Sequence, residues 1–317
     1  MSSKIKISHI IVTWNNEEII CECIDSLFKY CSKYDNEIII VDNDSKDKTC
    51  EVISQKYGNK VILIDTGVNN GFSKGNNIGL QQATGEYVFF VNPDVIFIED
   101  ILTPMLEVFK EKSDVGVVSP CLLYEDLSYQ VSTCNFPSVS KLIWDDLHLF
   151  RLLSKEKQKK YAQAQYKKAG NRYVDWSYGA AHLCKKSDMD RIGAYPEGYF
   201  MYGEDTEFCM LFLHHINKKT YYNGKAKLIH IGGYSEKQVI NSKKIVYGTR
   251  AAMYFVNKYY GKAQLKQYRV LLYLISFMKY LIYSMKTLVQ ANTKNNNGKI
   301  KWKASCKTVR TYKGEQN

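Results

Sequence analysis

The chain has 317 residues, 45% hydrophobic and 24% charged, so it can bury a sizeable core and global disorder is excluded. Its five prolines exclude collagen-like and proline-rich architectures. The net charge of +12 is uneven: residues 236–317 carry 17 lysines and arginines against Glu236 and Glu315, a net of +15, leaving −3 for residues 1–235. Such asymmetry directs the C-terminal part toward an anionic partner, membrane surface or nucleic acid. In chain order, residues 5–12 read as a strand, and residues 16–30 place Ile19, Ile20, Cys23, Ile24, Leu27 and Phe28 at helical spacing. Residues 37–41 are a continuous apolar run, the pattern of a strand buried on both faces. Helix over 46–57, strand over 61–64, helix over 73–83, strand over 87–91, helix over 100–111 and strand over 115–118 follow. Strands separated by helices predict an α/β fold with a mainly parallel sheet. Residues 120–172, with Phe136, Trp144, Phe150 and a lysine-rich run over 155–168, are expected to form a mobile subdomain over the site. The tyrosine-rich stretch 245–290 is helical in period, and the Asn- and Lys-rich composition beyond Asn292 predicts a flexible basic tail. The expected division is an α/β domain over 1–235 and a basic helical extension over 236–317.

Nine cysteines, an odd number with no C-x-x-C pair, read as reduced thiols of a cytosolic protein. The first 14 residues lack the apolar core of a signal peptide.

In open α/β sheets ligands sit at the carboxyl ends of the strands. Here those ends read Thr13-Trp14-Asn15-Asn16, Asp42-Asn43-Asp44-Ser45, Thr66 to Gly71, and Asn92-Pro93-Asp94. All four are polar, which predicts one shared site. Asp42 closes a buried strand and requires hydrogen-bond donors, for which a ligand amide N–H such as a pyrimidine imide is the favoured source. Asp44 and Ser45 are alternatively caps of the next helix. Gly71, Gly75 and Gly79 recur every four residues, which stacks small residues on one helix face for close packing. Gly71, Lys74 and Asn76 are also placed to approach a diphosphate, although neither common phosphate fingerprint is present. Asn92 and Asp94 form a sparse hard-cation site suited to Mg²⁺ or Mn²⁺. Glu204 and Asp205 precede an apolar-faced helix, which accounts for them as capping acids or makes either a general base. His230 stands between apolar residues, as a core histidine does.

Together these residues resemble glycosyltransferase family 2, with its GT-A nucleotide-sugar-binding fold, and the rhamnosyltransferase-like members that assemble bacterial polysaccharides. The resemblance rests on Ile-Ile-Val-Thr-Trp-Asn (10–15), Val-Asp-Asn-Asp-Ser (41–45), Asn-Gly-Phe-Ser-Lys-Gly-Asn-Asn-Ile-Gly (70–79) and Val-Asn-Pro-Asp (91–94). It extends through Val-Asp-Trp-Ser-Tyr-Gly-Ala-Ala (174–181), Phe-Met-Tyr-Gly-Glu-Asp (200–205) and His-Ile-Gly-Gly (230–233). It implies that Thr13, Asn15 and Asp42 hold the nucleotide of a dTDP- or UDP-sugar, with Asp44, Gly71, Lys74 and Asn76 beside them. Asp94 stands at the last position of the family's D-x-D motif, Asn92 stands where many members have Asp, and His230 matches a histidine that completes the metal site. Asp205 matches the catalytic base, supported by Glu204, and Trp176, Gly179 and Ala180 line the donor or acceptor pocket. The implied reaction is a single inverting displacement onto a saccharide hydroxyl, the acceptor lipid-linked.

A sugar-phosphate nucleotidyltransferase and a non-catalytic, membrane-associated binding module are the competing readings. The first is disfavoured because no Gly-rich loop with basic residues is present to hold a triphosphate. Nucleic acid is set aside because the tail aromatics sit within apolar helical stretches. Residues 268–290 are apolar but broken by Arg269, Lys279 and Lys286, which argues against a transmembrane helix and for one lying in an anionic membrane interface at the inner face of the cell membrane. Packing on the catalytic domain or in a homodimer is the alternative.

Overall fold

The computed structural model describes residues 4–143, 170–199, 202–232 and 241–314. Trp144, Phe150, the lysine-rich run 155–168 and Gly233 lie outside the described residues. The chain divides into two compact units: Met1–Cys134 with Lys168–Phe200 and Glu204–Glu236, and Asn135–Lys167 with Met201–Gly203 and Lys237–Asn317.

The first unit is built on a nine-stranded sheet. In chain order its elements are β1 (Lys6–Thr13), α1 (Ile20–Tyr30), β2 (Asp35–Asp42), α2 (Thr49–Tyr57), β3 (Ile62–Asp65), α3 (Gly71–Gln82), β4 (Tyr87–Val91), β5 (Val95–Phe97), α4 (Leu102–Glu111) and β6 (Val115–Leu123). They continue with β7 (Thr133–Cys134), then, past α5 of the second unit, β8 (Arg172–Val174), β9 (Trp176–Ser177), β10 (Ala181–Lys185), α6 (Lys186–Ile192), α7 (Glu204–Ile216) and β11 (Lys219–His230). Strand order is β3-β2-β1-β4-β10-β6-β11-β5, with β8 also on β11 and β7 paired to β9 apart. All five residues of β4 and the last five of β2 are buried, so both strands read as unbroken apolar runs because helices cover both faces. Ile11, Leu27, Phe89 and Met105 fill one side of the sheet, and Ile10, Val41, Phe90 and Phe208 the other.

Parallel register sets Thr13 opposite Asp42 and Asp42 opposite Asp65, which brings the carboxyl ends of β1, β2 and β3 to one edge. The sheet is parallel over β3-β2-β1-β4, as expected, and β11 runs parallel to β6, while antiparallel strands join beyond β4. β10 enters antiparallel with Ala181 opposite Val91, and β5 runs antiparallel to β11 with His230 opposite Val95.

Two helices start later than their periodicity predicts, α1 at Ile20 and α2 at Thr49. The residues before them bond to one another instead. The Lys48 N–H donates to Glu17 Oε2 at 2.7 Å, and the Glu17 N–H donates to Asp47 Oδ2 at 3.1 Å. On α3 the packing reading of the glycines holds. A Cβ at Gly75 would stand 2.7 Å from Val12 Cγ1, and one at Gly79 would stand 2.5 Å from Ile10 Cγ2.

The second unit contains α5 (Val139–Lys141), α8 (Asn241–Val289, two helices broken at Gly261, where φ is 83°) and α9 (Thr293–Thr311). Its core comprises Leu142, Met253, Val256, Tyr268, Ile275, Val309 and Tyr312. Phe136 stacks on Phe255 at 5.5 Å, so residues 135–143 of the irregular segment join this unit, whereas residues 120–134 and 170–172 stay with the first. The flexible tail expected beyond Asn292 is corrected: residues 293–311 are a helix. Asn292 caps it by accepting from the Asn295 N–H at 2.9 Å. Ser305, Thr308 and Val309 are buried, and the Ser305 hydroxyl meets that of Ser276 at 2.8 Å. The segment is polar in composition, but burial of one face against α8 offsets the ordering entropy that composition alone would leave unopposed. Among the described residues no helix is long and apolar enough to cross a membrane.

Candidate active site

The β1 and β2 ends interlock through short polar bonds. Thr13 Oγ1 donates to Asn16 Oδ1 at 3.0 Å, and the Asn43 N–H donates to the Thr13 carbonyl at 2.9 Å. Asn15, at φ 53°, donates its N–H to Ser45 Oγ at 2.8 Å, and its Oδ1 accepts the Lys46 N–H at 2.7 Å. Asp42 is buried, and its carboxylate accepts the Ser45 N–H at 2.8 Å and the Ser45 hydroxyl at 2.5 Å. The donors that Asp42 requires are thus supplied from within the chain. Ser45 holds Asp42 and does not cap α2, whose first residue is Thr49. A carboxylate offers about four lone-pair sites, so Asp42 retains acceptor capacity for a ligand N–H. Asp44 pairs with Lys46 at 2.6 Å at the exposed rim.

Gly71 opens α3 at φ 76°, a backbone conformation that favours glycine, and its carbonyl accepts the Asn43 side-chain amide at 3.0 Å. Lys74 is exposed on α3. Asn76 is not placed to meet a diphosphate through its amide. It is buried and donates Nδ2 to the Phe72 carbonyl at 3.0 Å, because this face of α3 packs on the sheet.

A second cluster forms where β4 ends and β11 ends. His230 Nδ1–H donates to Gln130 Oε1 at 2.8 Å, which orients the ring with Nε2 toward Asp94. Nε2 stands 3.4 Å from Asp94 Oδ1. That oxygen and Asn92 Oδ1 are both buried without a hydrogen-bond partner. The paired Asp94 oxygen and His230 nitrogen, with a second unpartnered oxygen two residues away in the chain at Asn92, fit a hard divalent cation that takes its remaining ligands from water and phosphate oxygens. Among the described residues no group of three or more His, Cys, Asp and Glu side chains gathers to hold a metal ion, so the protein's share of such a site is small.

The third cluster surrounds the start of α7. Burial pushes the Asp205 carboxyl up to about 6 against the N–H groups of Thr206 and Gly179, which favour its charged form. Burial, and then the charge of Asp205, push Glu204 up to about 8. Asp205 Oδ1 accepts the Thr206 N–H at 2.7 Å, and a Cβ at Gly179 would lie 3.4 Å from Asp205 Cβ. The Ala180 carbonyl accepts the Asn92 N–H at 2.9 Å. Ala180 itself is buried, so its contribution is this backbone group rather than a pocket-lining side chain. Trp176 is half-buried on β9, its ring 5.8 Å from that of Tyr178. Behind the cluster the Tyr195 ring stacks on Phe208 at 4.1 Å, and His182, lowered to about 4 by burial, meets Ser177 Oγ at 2.9 Å.

The sequence singles out the polar residues of these three clusters but not the residues that support them. Ser45 is visible only as an expected helix cap. Gln130 carries no motif at all. His182 and Tyr195 stand between residues of recognisable pattern without sharing it.

Residues 8–179 match the family model described as Glycosyl transferase family 2. The chain is 28% identical over 211 residues to rhamnosyltransferase WbbL of Escherichia coli (strain K12), an alignment that covers 63% of this chain and 74% of that protein. It is 27% identical over 208 residues to the low-salt glycan biosynthesis hexosyltransferase Agl10 of Haloferax volcanii, covering 64% of this chain and 60% of that protein. In fold it is similar to a mannosyltransferase from Pyrobaculum calidifontis solved in complex with GDP-Man and Mn²⁺, with a TM-score of 0.57 and 13% identity over 98% of this chain and 87% of that one.

Proposed function

The chain belongs to glycosyl transferase family 2 and has its GT-A fold, and from that premise we propose that it is an inverting enzyme that moves L-rhamnose from dTDP-rhamnose to a hydroxyl of a growing cell-surface polysaccharide. The donor reading is supported by the similarity to a rhamnosyltransferase. The observation that carries the chemistry is the Gly179-Ala180 dipeptide. Gly179 lies against Asp205, where an added Cβ would stand 3.4 Å from Asp205 Cβ, while the Ala180 carbonyl accepts the N–H of Asn92, two residues before Asp94. Two adjacent residues thereby link the candidate base to the candidate cation site.

In this mechanism Asp205 takes the proton of the acceptor hydroxyl as that oxygen attacks the anomeric carbon. The bond from the anomeric carbon to the phosphate oxygen breaks on the opposite side, and its electron pair leaves with the nucleoside diphosphate. Burial raises both Glu204 and Asp205, so the two titrate as a pair for which a single negative charge is favoured over two. Asp42, Thr13 and Asn15 hold the nucleotide. Asp94 and His230, with the Asn92 oxygen beside them, would hold Mg²⁺ or Mn²⁺, whose charge offsets that gained by the diphosphate. The acceptor is lipid-linked, and the basic second unit holds the enzyme at the inner face of the membrane.

Purified protein incubated with dTDP-rhamnose, UDP-sugars or GDP-mannose, each with Mn²⁺ and a lipid-linked saccharide, tests the reading. dTDP release that depends on the acceptor is expected. Pyrophosphate release from sugar phosphate and nucleoside triphosphate would instead identify a nucleotidyltransferase, and turnover of no donor would leave only a binding module.

A further inference from the structure

We propose that the groove between the second half of α8 and α9 is a binding site for the phosphate of a membrane lipid. The groove, of about 540 Å³, is lined by Lys262, Lys266, Arg269 and Arg310 together with Val270 and Leu274, among others. Arg269 is pre-set for this role: its guanidinium donates to the Val309 carbonyl at 2.9 Å, which ties the two helices and leaves further N–H donors for an anion. Among the described residues none of the four cations has an ion pair, and residues 241–311 contain 15 lysines and arginines and no acid. An anion is therefore the only charge complement this groove accepts.

The second property is apolar. Val270, Leu274, Phe277, Leu281, Met285 and Leu288 are between 42% and 87% exposed. At about 100° per residue they fall within an arc of about 80° along about 28 Å of helix. The opposite face of the same helix is used up in the core through Tyr268 and Ile275. Lys262, Lys266 and Arg269 border one side of the apolar arc. Val270 and Leu274 belong to both the arc and the groove, so the ligand that fits both is anionic at one end and hydrocarbon at the other. Nucleic acid offers no hydrocarbon for exposed Leu and Met. A second copy of the chain would bring 15 like charges against 15.

The inference rests on the membrane placement stated above, and the experiment separates the two. Full-length protein is floated with vesicles of phosphatidylcholine alone and of phosphatidylcholine with about one third phosphatidylglycerol. It is compared with K266Q/R310Q in the groove and with K294Q/K301Q, which removes the same charge from α9 outside it. Each basic residue near an anionic leaflet contributes about fivefold to partitioning, so diffuse attraction alone lowers both variants alike. The groove pair is expected to fall about tenfold further than the control pair, on anionic vesicles only. Equal falls would overturn the groove site and leave membrane placement standing. Failure of wild type to bind either vesicle would overturn both. A concentration-dependent dimer abolished by L274S/M285S, without vesicle binding, would assign the face to a second copy and also overturn the proposal.

Discussion

Asp205→Asn separates catalysis from stability with opposite signs. The substitution keeps an Oδ1 acceptor for the N–H groups of Thr206 and Gly179 but removes the ionisable oxygen. Loss of a general base lowers turnover at least about 10²-fold. Stability moves the other way. Burial raises the Asp205 carboxyl from 3.8 to about 6 in the folded protein, so the folded state binds the proton more tightly than the unfolded chain. The wild type's stabilising share is full below the unfolded value and is lost as pH rises through the folded one. At neutral pH and above the buried carboxylate is therefore a net cost to stability. Asn avoids that cost, so the variant is expected to be more stable than wild type at pH 8 and to have no such gain near pH 4. Urea unfolding at the two pH values measures this, and transfer assays at pH 7 measure the loss. The same shift predicts that wild-type kcat/KM falls about tenfold between pH 7 and pH 5, whereas a base at the ordinary value would lose almost nothing over that range. Retained turnover in the variant, or a variant less stable than wild type at pH 8, would refute the assignment.

Asp42→Ala is expected to weaken dTDP binding at least about tenfold by calorimetric titration, since a hydrogen bond to a buried charge is lost, whereas Ser45→Ala, which removes only a support, is expected to weaken it less. Activity is expected to vanish in excess EDTA and return with Mg²⁺ or Mn²⁺. Gln130→Leu, which frees His230 Nδ1, is expected to raise the half-saturating metal concentration about 10- to 100-fold, and an unchanged value would remove the supporting role of Gln130. Gly79→Ala is expected to destabilise the first unit by about 1–3 kcal/mol in urea unfolding, because the added Cβ would stand 2.5 Å from Ile10 Cγ2.

The elements of the catalytic unit were legible because their signals are local. The apolar runs that became β2 and β4 mark strands buried on both faces, and the glycines of α3 mark the face that must approach Ile10 and Val12. Polar residues at four strand ends announced a site because parallel strands deliver those ends to one edge. The family motifs added roles that no local pattern carries. What lay beyond reach depends on contacts between distant segments. His230 is oriented by Gln130, 100 residues earlier, and Asn15 bonds Ser45, 30 residues later. Composition predicts disorder for residues beyond 292, yet they form a helix because α8 offers Ser276 and an apolar face against which Ser305 and Val309 are buried. Backbone preference and side-chain period act over a few residues and can be read along the chain. The partner of a buried polar atom, and the face that orders a polar helix, are set by packing, which brings together residues that no sequence interval connects.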